Sequence, residues 1–522
     1  MKRDNMLRQL DDSSMTWDII VIGGGATGLG VGVDAAARGY RTLVLEQADF
    51  AQATSSRSTK LIHGGVRYLQ QRNLALVMEA LHERGLLLKN APHLVFNQAF
   101  VVPDYKWWER PFYGVGLKIY DMLAGKLGFG KSKMLSRDTT LEYIPSLKHE
   151  GLRGGVIYHD GQFDDARLAV TLARTAADQG AAVLNHVKAT GLIKDDSSIV
   201  KGVRARDELG RREYELKARA VINATGPFVD HLRSMDLPGS SRLIVPSQGV
   251  HLVLDHSFAP GETAVMVPHT DDGRIIFMVP WRDRVLVGTT DTLLDTPGMD
   301  PKPLQEEIDF LLTHARRYLA RAPERADALS AFAGIRPLIS GDTSARTSSL
   351  SRSHHLAISK SGLISIAGGK WTTYRKMAED TVTQAAMFAD LPERSCPTEN
   401  LRLHGWIDQV DASNHLDAYG SDKEAVLGLG KEQPDLLEPL HPRLPYLRAE
   451  VIYGVRQEWA QTVYDVLAHR TRRLILDAKA SVSVAPEVAR LMAIELGRDQ
   501  AWEQAQVSAF TRQAEAFLLD PP

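Results

Sequence analysis

The chain has 522 residues, 44% of them hydrophobic and 24% charged, which is too long for one ordinary core and implies two or three globular domains. A formal net charge of −2 gives no global signal for nucleic acid, and the single cysteine, Cys396, excludes an intramolecular disulfide or a cysteine-based zinc site. No apolar run is long enough to span a bilayer and the first sixteen residues lack an apolar signal core, so an intracellular protein with at most peripheral membrane contact is expected.

Residues 1–16 read as a polar, frayed tail. From Trp17 to Glu46 the chain reads WDIIVIGGGATGLGVGVDAAARGYRTLVLE. Ile19 to Ile22 suit a short buried strand, and Gly23-x-Gly25-x-x-Gly28 turns into a helix that runs to about Arg38 and ends at Gly39. Arg41 to Leu45 form a second strand closed by Glu46. Gly23 permits the tight turn, Gly25 lets the backbone approach a pyrophosphate, and Gly28 lets helix and strand pack closely. The helix N-terminus offers N–H groups to that pyrophosphate, and Glu46 stands where an acid would bind an adenosine ribose. A glycine pattern alone is weak; the strand before it, the helix after it and the acid beyond point to a bound dinucleotide.

The stretch ATSSRSTKLIHGGVRYLQQ that follows is dense in hydroxyls and glycine and carries Lys60, His63 and Arg67. Its interleaved Leu61, Ile62, Val66, Tyr68 and Leu69 imply burial, and buried hydroxyls and cations need partners that a ligand would supply. An amphipathic helix is expected over Asn73–Asn90. The segment Asp104–Lys133 then combines Trp107, Trp108, Phe112, Tyr113, Tyr120 and Phe129 with five lysines and Arg110. Two readings of it stand: a bilayer interface contact, or an ordinary surface helix packed on its own domain. Asp164-Asp165-Ala166-Arg167 opens another helix, ended by Gly180 and followed by a strand near Ala182–Leu184. Ala218 to Phe228 is a buried strand with small residues at its end, where backbone can approach a ligand.

Residues 242–350 are rich in β pattern, with a hairpin signal at Asp272-Gly273 and one helix from Leu304 to Tyr318. Leu363 to Ala367, the Gly368-Gly369-Lys370 turn and the helix from Thr372 form a second strand–glycine–helix unit. Beyond Pro397 the pattern is helical and reads as a separate domain without a catalytic constellation. Its Arg470, Arg472 and Arg473 read as a solvated helix face, or as a contact to lipid or a partner. Adjacent His354 and His355 point to opposite faces of a strand, so no metal is assigned. The expected fold is α/β: a split Rossmann-like domain (about 17–80, 150–240 and 351–395) with an inserted antiparallel β-sheet substrate domain (about 81–149 and 241–350) and a C-terminal helical domain (396–522).

GGGATGLGVGVDAAARG, TSSRSTKLIHGGVRYL, VINATGP, VGTTD, GIRPL and GGKWTTYRKMAED together resemble the FAD-dependent, respiratory glycerol-3-phosphate dehydrogenases over nearly the whole chain. Leu29 and Gly32 depart from the usual pattern, both on the helix after the phosphate turn. The resemblance implies FAD-dependent oxidation of sn-glycerol 3-phosphate to dihydroxyacetone phosphate, with hydride passing from C2 to flavin N5 and electrons to a membrane quinone. It implies a peripheral enzyme on the cytoplasmic face of the cell membrane, often a homodimer. To the cofactor residues Gly23, Gly25, Gly28 and Glu46 it adds Ser56, Thr59, Lys60, the backbone of Ala224 to Gly226, and the Gly369, Thr372 and Thr373 turn. Arg336 and Arg352 resemble the substrate-phosphate arginines, and Arg67 with Tyr68 a third cationic contact. His251 is the candidate general base, against the alternative of a core histidine, and Lys370 a candidate to stabilise developing charge. Two alternatives remain: a flavin oxidase, using oxygen on the same substrate or acting on amino or hydroxy acids, and a flavin-binding regulatory protein that has lost turnover.

Overall fold

A computed structural model describes residues 2–65, 74–125, 128–340, 354–411, 413–431 and 433–519. Arg67, Tyr68 and Arg352, three of the expected substrate contacts, lie outside the described residues.

Two large sheets carry the chain. In the first, five parallel strands run in the order Ile364–Gly368, Glu213–Asn223, Thr16–Ile22, Thr42–Leu45 and Ala182–Leu184, with His354–Ile358 antiparallel at one edge. The central strands read as continuous apolar runs because both faces are covered. The Ala26–Ala37 helix packs between the Asp165–Asp178 and Tyr374–Phe388 helices. Asp164 caps the Asp165–Asp178 helix by accepting from Arg167 N–H at 3.1 Å, and eleven of its fourteen residues are buried, which fixes it against the sheet. The last strand of this sheet comes from residue 364 onward, so the nucleotide fold is split as the sequence implies.

The second sheet has ten strands and is mostly antiparallel. Its longest pairing joins Ile244–Asp255 to Ala328–Ile339, with His251 opposite Phe332 and Ser247 opposite Arg336. Strand Gly154–Phe163, assigned to the nucleotide domain by the sequence division, pairs along its whole length with Val95–Asp104 and belongs to this second sheet. Alternation of apolar and polar residues does not say which sheet a strand joins; only the pairing does.

Two other expectations are corrected. Residues 1–16 are not a frayed tail: Arg3–Gln9 is a helix whose Met6 is fully buried beside the Ala182–Leu184 edge strand, and Arg3 pairs with Asp207 at 3.1 Å. The C-terminal region forms the expected helical domain, but not with a solvated arginine face. Its helices Arg448–Glu458 and Ala478–Leu496 share one apolar cluster with Phe332, Trp281 and Leu286 of the second sheet. Arg470, Arg472 and Arg473 are all buried. Residues 465–470 form a π-helical turn, and the residue after next, Arg472, takes a left-handed conformation at φ +59°. Helical periodicity cannot place side chains across such a break, because each assumes a different angle per residue.

Candidate active site

The groove at the C-terminal ends of the parallel strands is lined by Gly23, Gly25, Glu46, Ser55, Ala224, Gly226, Gly369, Lys370 and Trp371. This is where open α/β sheets place ligands. Gly23 has φ +117°, and a Cβ there would strike the carbonyl of Ala224 on the adjacent strand end. A Cβ on Gly28 would overlap the Gly23 carbonyl oxygen, so the helix can start this close to the strand only with glycine. The first turn of that helix contains no acidic side chain. No side chain of that turn therefore opposes the partial positive charge of the helix N-terminus.

Glu46 is fixed before any ligand arrives. Gly24 N–H donates to Oε2 at 2.7 Å and Ala48 N–H to Oε1 at 2.9 Å. Each carboxylate oxygen keeps lone-pair capacity for a ribose hydroxyl, while burial pushes the carboxyl pKa up. Ser55, which the sequence reading passed over in favour of its neighbour, accepts from Ala26 N–H at 2.9 Å and lines the groove. Ser56 is buried, with its hydroxyl turned to the Ala53 carbonyl. In a run of hydroxyls, composition does not say which one points inward. Trp371 closes the far side and donates from Nε1 to the Ser55 carbonyl at 2.9 Å, tying the two glycine turns together. Thr372 and Thr373 are buried behind it, bonded to the His63 and Lys370 backbone respectively. These features fit a dinucleotide: a backbone cradle that tolerates no Cβ, a pre-aimed acid, and a second glycine turn facing the first.

Beside the groove, one face of the second sheet carries Ser247, Gly249 and His251 on one strand and Phe332, Gly334 and Arg336 on its partner, as two-residue alternation requires. Gly249 leaves room for the Arg336 guanidinium and Gly334 for the Arg57 backbone. Arg336 donates to the Thr290 carbonyl at 3.1 Å and the Thr289 hydroxyl at 2.9 Å, with Asp291 at 3.7 Å. Its chain neighbour Pro337 borders the groove. His251 is buried and stacks on Phe332 at 4.8 Å, with Nε2 2.9 Å from the Thr59 hydroxyl. Among the described residues its Nδ1 has no hydrogen-bond partner. Burial, then Lys60 and Arg336, hold its pKa well below the ordinary imidazole value, so the ring is neutral.

Lys60 does not reach the groove. Its ammonium is fully buried, donating to Asp165 Oδ2 at 2.6 Å and to the Ser56 carbonyl at 2.7 Å. Burial lowers its pKa to about 7 in spite of Asp165. The residue works beneath the site and not in it. Asp165 and Arg472, which hold this floor, went unrecognised in the sequence, where Asp165 reads only as part of a helix start.

Residues 18–375 match the model of the FAD dependent oxidoreductase family, and residues 360–503 that of the C-terminal domain of alpha-glycerophosphate oxidase. The chain is 42% identical over 96% of its length to the probable mitochondrial glycerol-3-phosphate dehydrogenase of Caenorhabditis elegans, covering 73% of that protein. Identity to the human mitochondrial glycerol-3-phosphate dehydrogenase is 41% over 97% of this chain and 74% of the relative. The glycerol-3-phosphate dehydrogenase from Bacillus halodurans, solved complexed with FAD, superposes with a TM-score of 0.81 at 32% identity, covering 99% of this chain and 98% of that one. The L-alpha-glycerophosphate oxidase from Mycoplasma pneumoniae shares the fold at 16% identity, with a TM-score of 0.58 over 74% of this chain and 98% of the other. With the cradle, the acid and the split sheet in place, this chain belongs to the FAD-dependent glycerol-3-phosphate dehydrogenase family.

Proposed function

We propose that the protein oxidises sn-glycerol 3-phosphate to dihydroxyacetone phosphate and delivers the electrons to a membrane quinone. FAD, when bound, supplies the acceptor at N5 for the hydride that leaves C2. The chain's own residues do the rest. Gly23, Gly25, Gly28 and the helix behind them receive the pyrophosphate, and Glu46 the ribose. His251 takes the proton of the C2 hydroxyl: a neutral ring with an available nitrogen accepts it, and the low pKa lets the ring release it again after turnover. Arg336 supplies charge to the substrate phosphate, and Lys370 faces the developing carbonyl oxygen. Arg67, Tyr68 and Arg352 are proposed as further substrate contacts. The observation that carries this reading is the pairing of a buried imidazole with a guanidinium on one sheet face, at the border of a glycine-lined groove.

For the acceptor, the support is a surface. No described helix is long and apolar enough to cross a membrane. On the Glu109–Ala124 helix, however, Phe112, Val115, Ile119 and Met122 are 52%, 59%, 45% and 80% exposed, and Trp107 just before it is 76% exposed. Their spacing puts the four helical residues on one face. Lys106, Lys118, Lys131 and Lys133, in the same stretch of chain, are exposed as well. An exposed apolar face in a lysine-rich segment suits the anionic interface of a bilayer on its cytoplasmic side.

The test is anaerobic flavin bleaching. Glycerol 3-phosphate should bleach the purified, flavin-loaded protein, and a soluble quinone should restore the colour quickly while air restores it slowly. Fast recovery in air would make it an oxidase. No bleaching by glycerol 3-phosphate would overturn the substrate.

A further inference from the structure

The loop that touches His251 rests on an arginine from the opposite end of the chain. Arg472 is buried and donates through Nη2 to the Ser56 carbonyl at 2.7 Å and to Asp165 Oδ1 at 2.9 Å. Its Nη1 donates to the Ala468 carbonyl at 2.6 Å, and Asp164 lies 3.3 Å from its Nε. Asp165 in turn gathers the Ser56–Lys60 turn. Its Oδ2 accepts from Ser58 N–H at 3.0 Å, the Ser58 hydroxyl at 2.7 Å and Lys60 Nζ at 2.6 Å. That turn delivers the Thr59 hydroxyl to His251 Nε2. Lys60 sits 5.0 Å over the Phe332 ring, and Phe332 also stacks on His251. Lys60 itself has φ +63°, a conformation that lysine adopts only when its surroundings hold it.

We propose that Arg472 is a positioning residue for the proton acceptor: through Asp165 and the Ser56 carbonyl it fixes the Ser56–Lys60 turn, and so the orientation of His251. The inference rests on the reading of His251 as the acceptor. It gives the C-terminal region a part in the chemistry beyond burying apolar surface. The π-helical turn before Arg472 has a reason on this account, because it turns His469, Arg470 and Arg472 inward together; Arg470 and His469 grip Asp49, three residues after Glu46. A planar fork serves two acceptors at once where lysine serves as a point charge.

A set of variants tests this, each measured per bound flavin. His251→Asn should abolish most turnover; if it keeps full activity, the acceptor reading itself falls. Arg472→Met should lower kcat by about 10- to 100-fold, as a small misplacement of a reacting group does, with KM for glycerol 3-phosphate unchanged. The acidic limb of its kcat/KM profile should move up toward the ordinary imidazole value, because a loosened turn admits water to a ring otherwise faced by Lys60 and Arg336. Arg472→Lys should fall between Met and the natural residue. Combined with Thr59→Val, Arg472→Met should cost less than the product of the two single losses, because both break the same link. Multiplicative losses, or a loss wholly explained by missing flavin with an unmoved pH profile, would overturn the proposal. Should Arg472→Met not fold, Ser58→Ala removes a single bond to Asp165 and should shift the profile in the same direction; an unmoved profile would again overturn it.

Discussion

Replacing Glu458 by glutamine removes one charge from the seam between the C-terminal helices and the nucleotide-binding sheet. Glu458 is fully buried and receives the guanidinium of Arg167 in a bidentate fork, one arm at 2.9 Å and the other to Oε1. Arg167 also lies 4.4 Å over the Tyr419 ring, and Arg470 approaches Glu458 at 3.7 Å while holding Asp49. The substitution keeps the shape and strands the buried Arg167 cation, a change that costs about 3–5 kcal/mol. The shift in melting temperature then depends on what unfolds with it. If all 522 residues melt as one unit, an unfolding entropy of about 2.1 cal/mol/K per residue gives about 1.1 kcal/mol/K, so a loss of about 4 kcal/mol lowers the midpoint by about 4 °C. If the C-terminal quarter melts alone, the same loss lowers its midpoint by about 15 °C. The shared apolar cluster and the crossing ion pairs lead us to expect the first outcome, with flavin release falling together with loss of helix signal. Flavin fluorescence and circular dichroism, recorded in the same scan, decide it. A separate early transition with flavin release unmoved would refute the reasoning. Arg167→Met with Glu458→Leu should regain much of the loss, because two matched apolar groups strand no charge.

Gly28→Ala should yield a folded protein that purifies without flavin, since the added methyl must displace the Gly23 carbonyl; absorbance at the flavin band per protein checks it. His93, buried with a pKa lowered to about 4 by burial, contributes stability that is present above about pH 6.5 and lost as pH falls toward 4. On the order of 3 kcal/mol rides on it, and His93→Gln should flatten the acid limb of an unfolding profile in that window. Ile119→Glu with Met122→Glu should abolish flotation with anionic vesicles while leaving bleaching by glycerol 3-phosphate intact; undiminished flotation would show that the Glu109–Ala124 face is not the lipid contact.

What the sequence determined by itself is the part that short spacing encodes. The Gly23–Gly28 turn, the strand before it, the helix after it and Glu46 lie within one strand–helix–strand unit, where steric need fixes residue type position by position. The second glycine turn at Gly368–Lys370 was legible for the same reason, whereas over Asp104–Lys133 composition showed only aromatics beside lysines and the exposed face Phe112–Met122 came from the fold. Tertiary structure decided everything that required knowing what faces what. It chose Ser55 over Ser56, turned Lys60 from a presumed ligand contact into a buried counter-ion of Asp165, and moved strand Gly154–Phe163 to the second sheet. Above all it carried Arg472 inward, 307 positions in the chain from Asp165. A run of arginines reads as a solvated surface because charge is costly to bury alone, and only the fold reveals the carboxylates that make burial affordable.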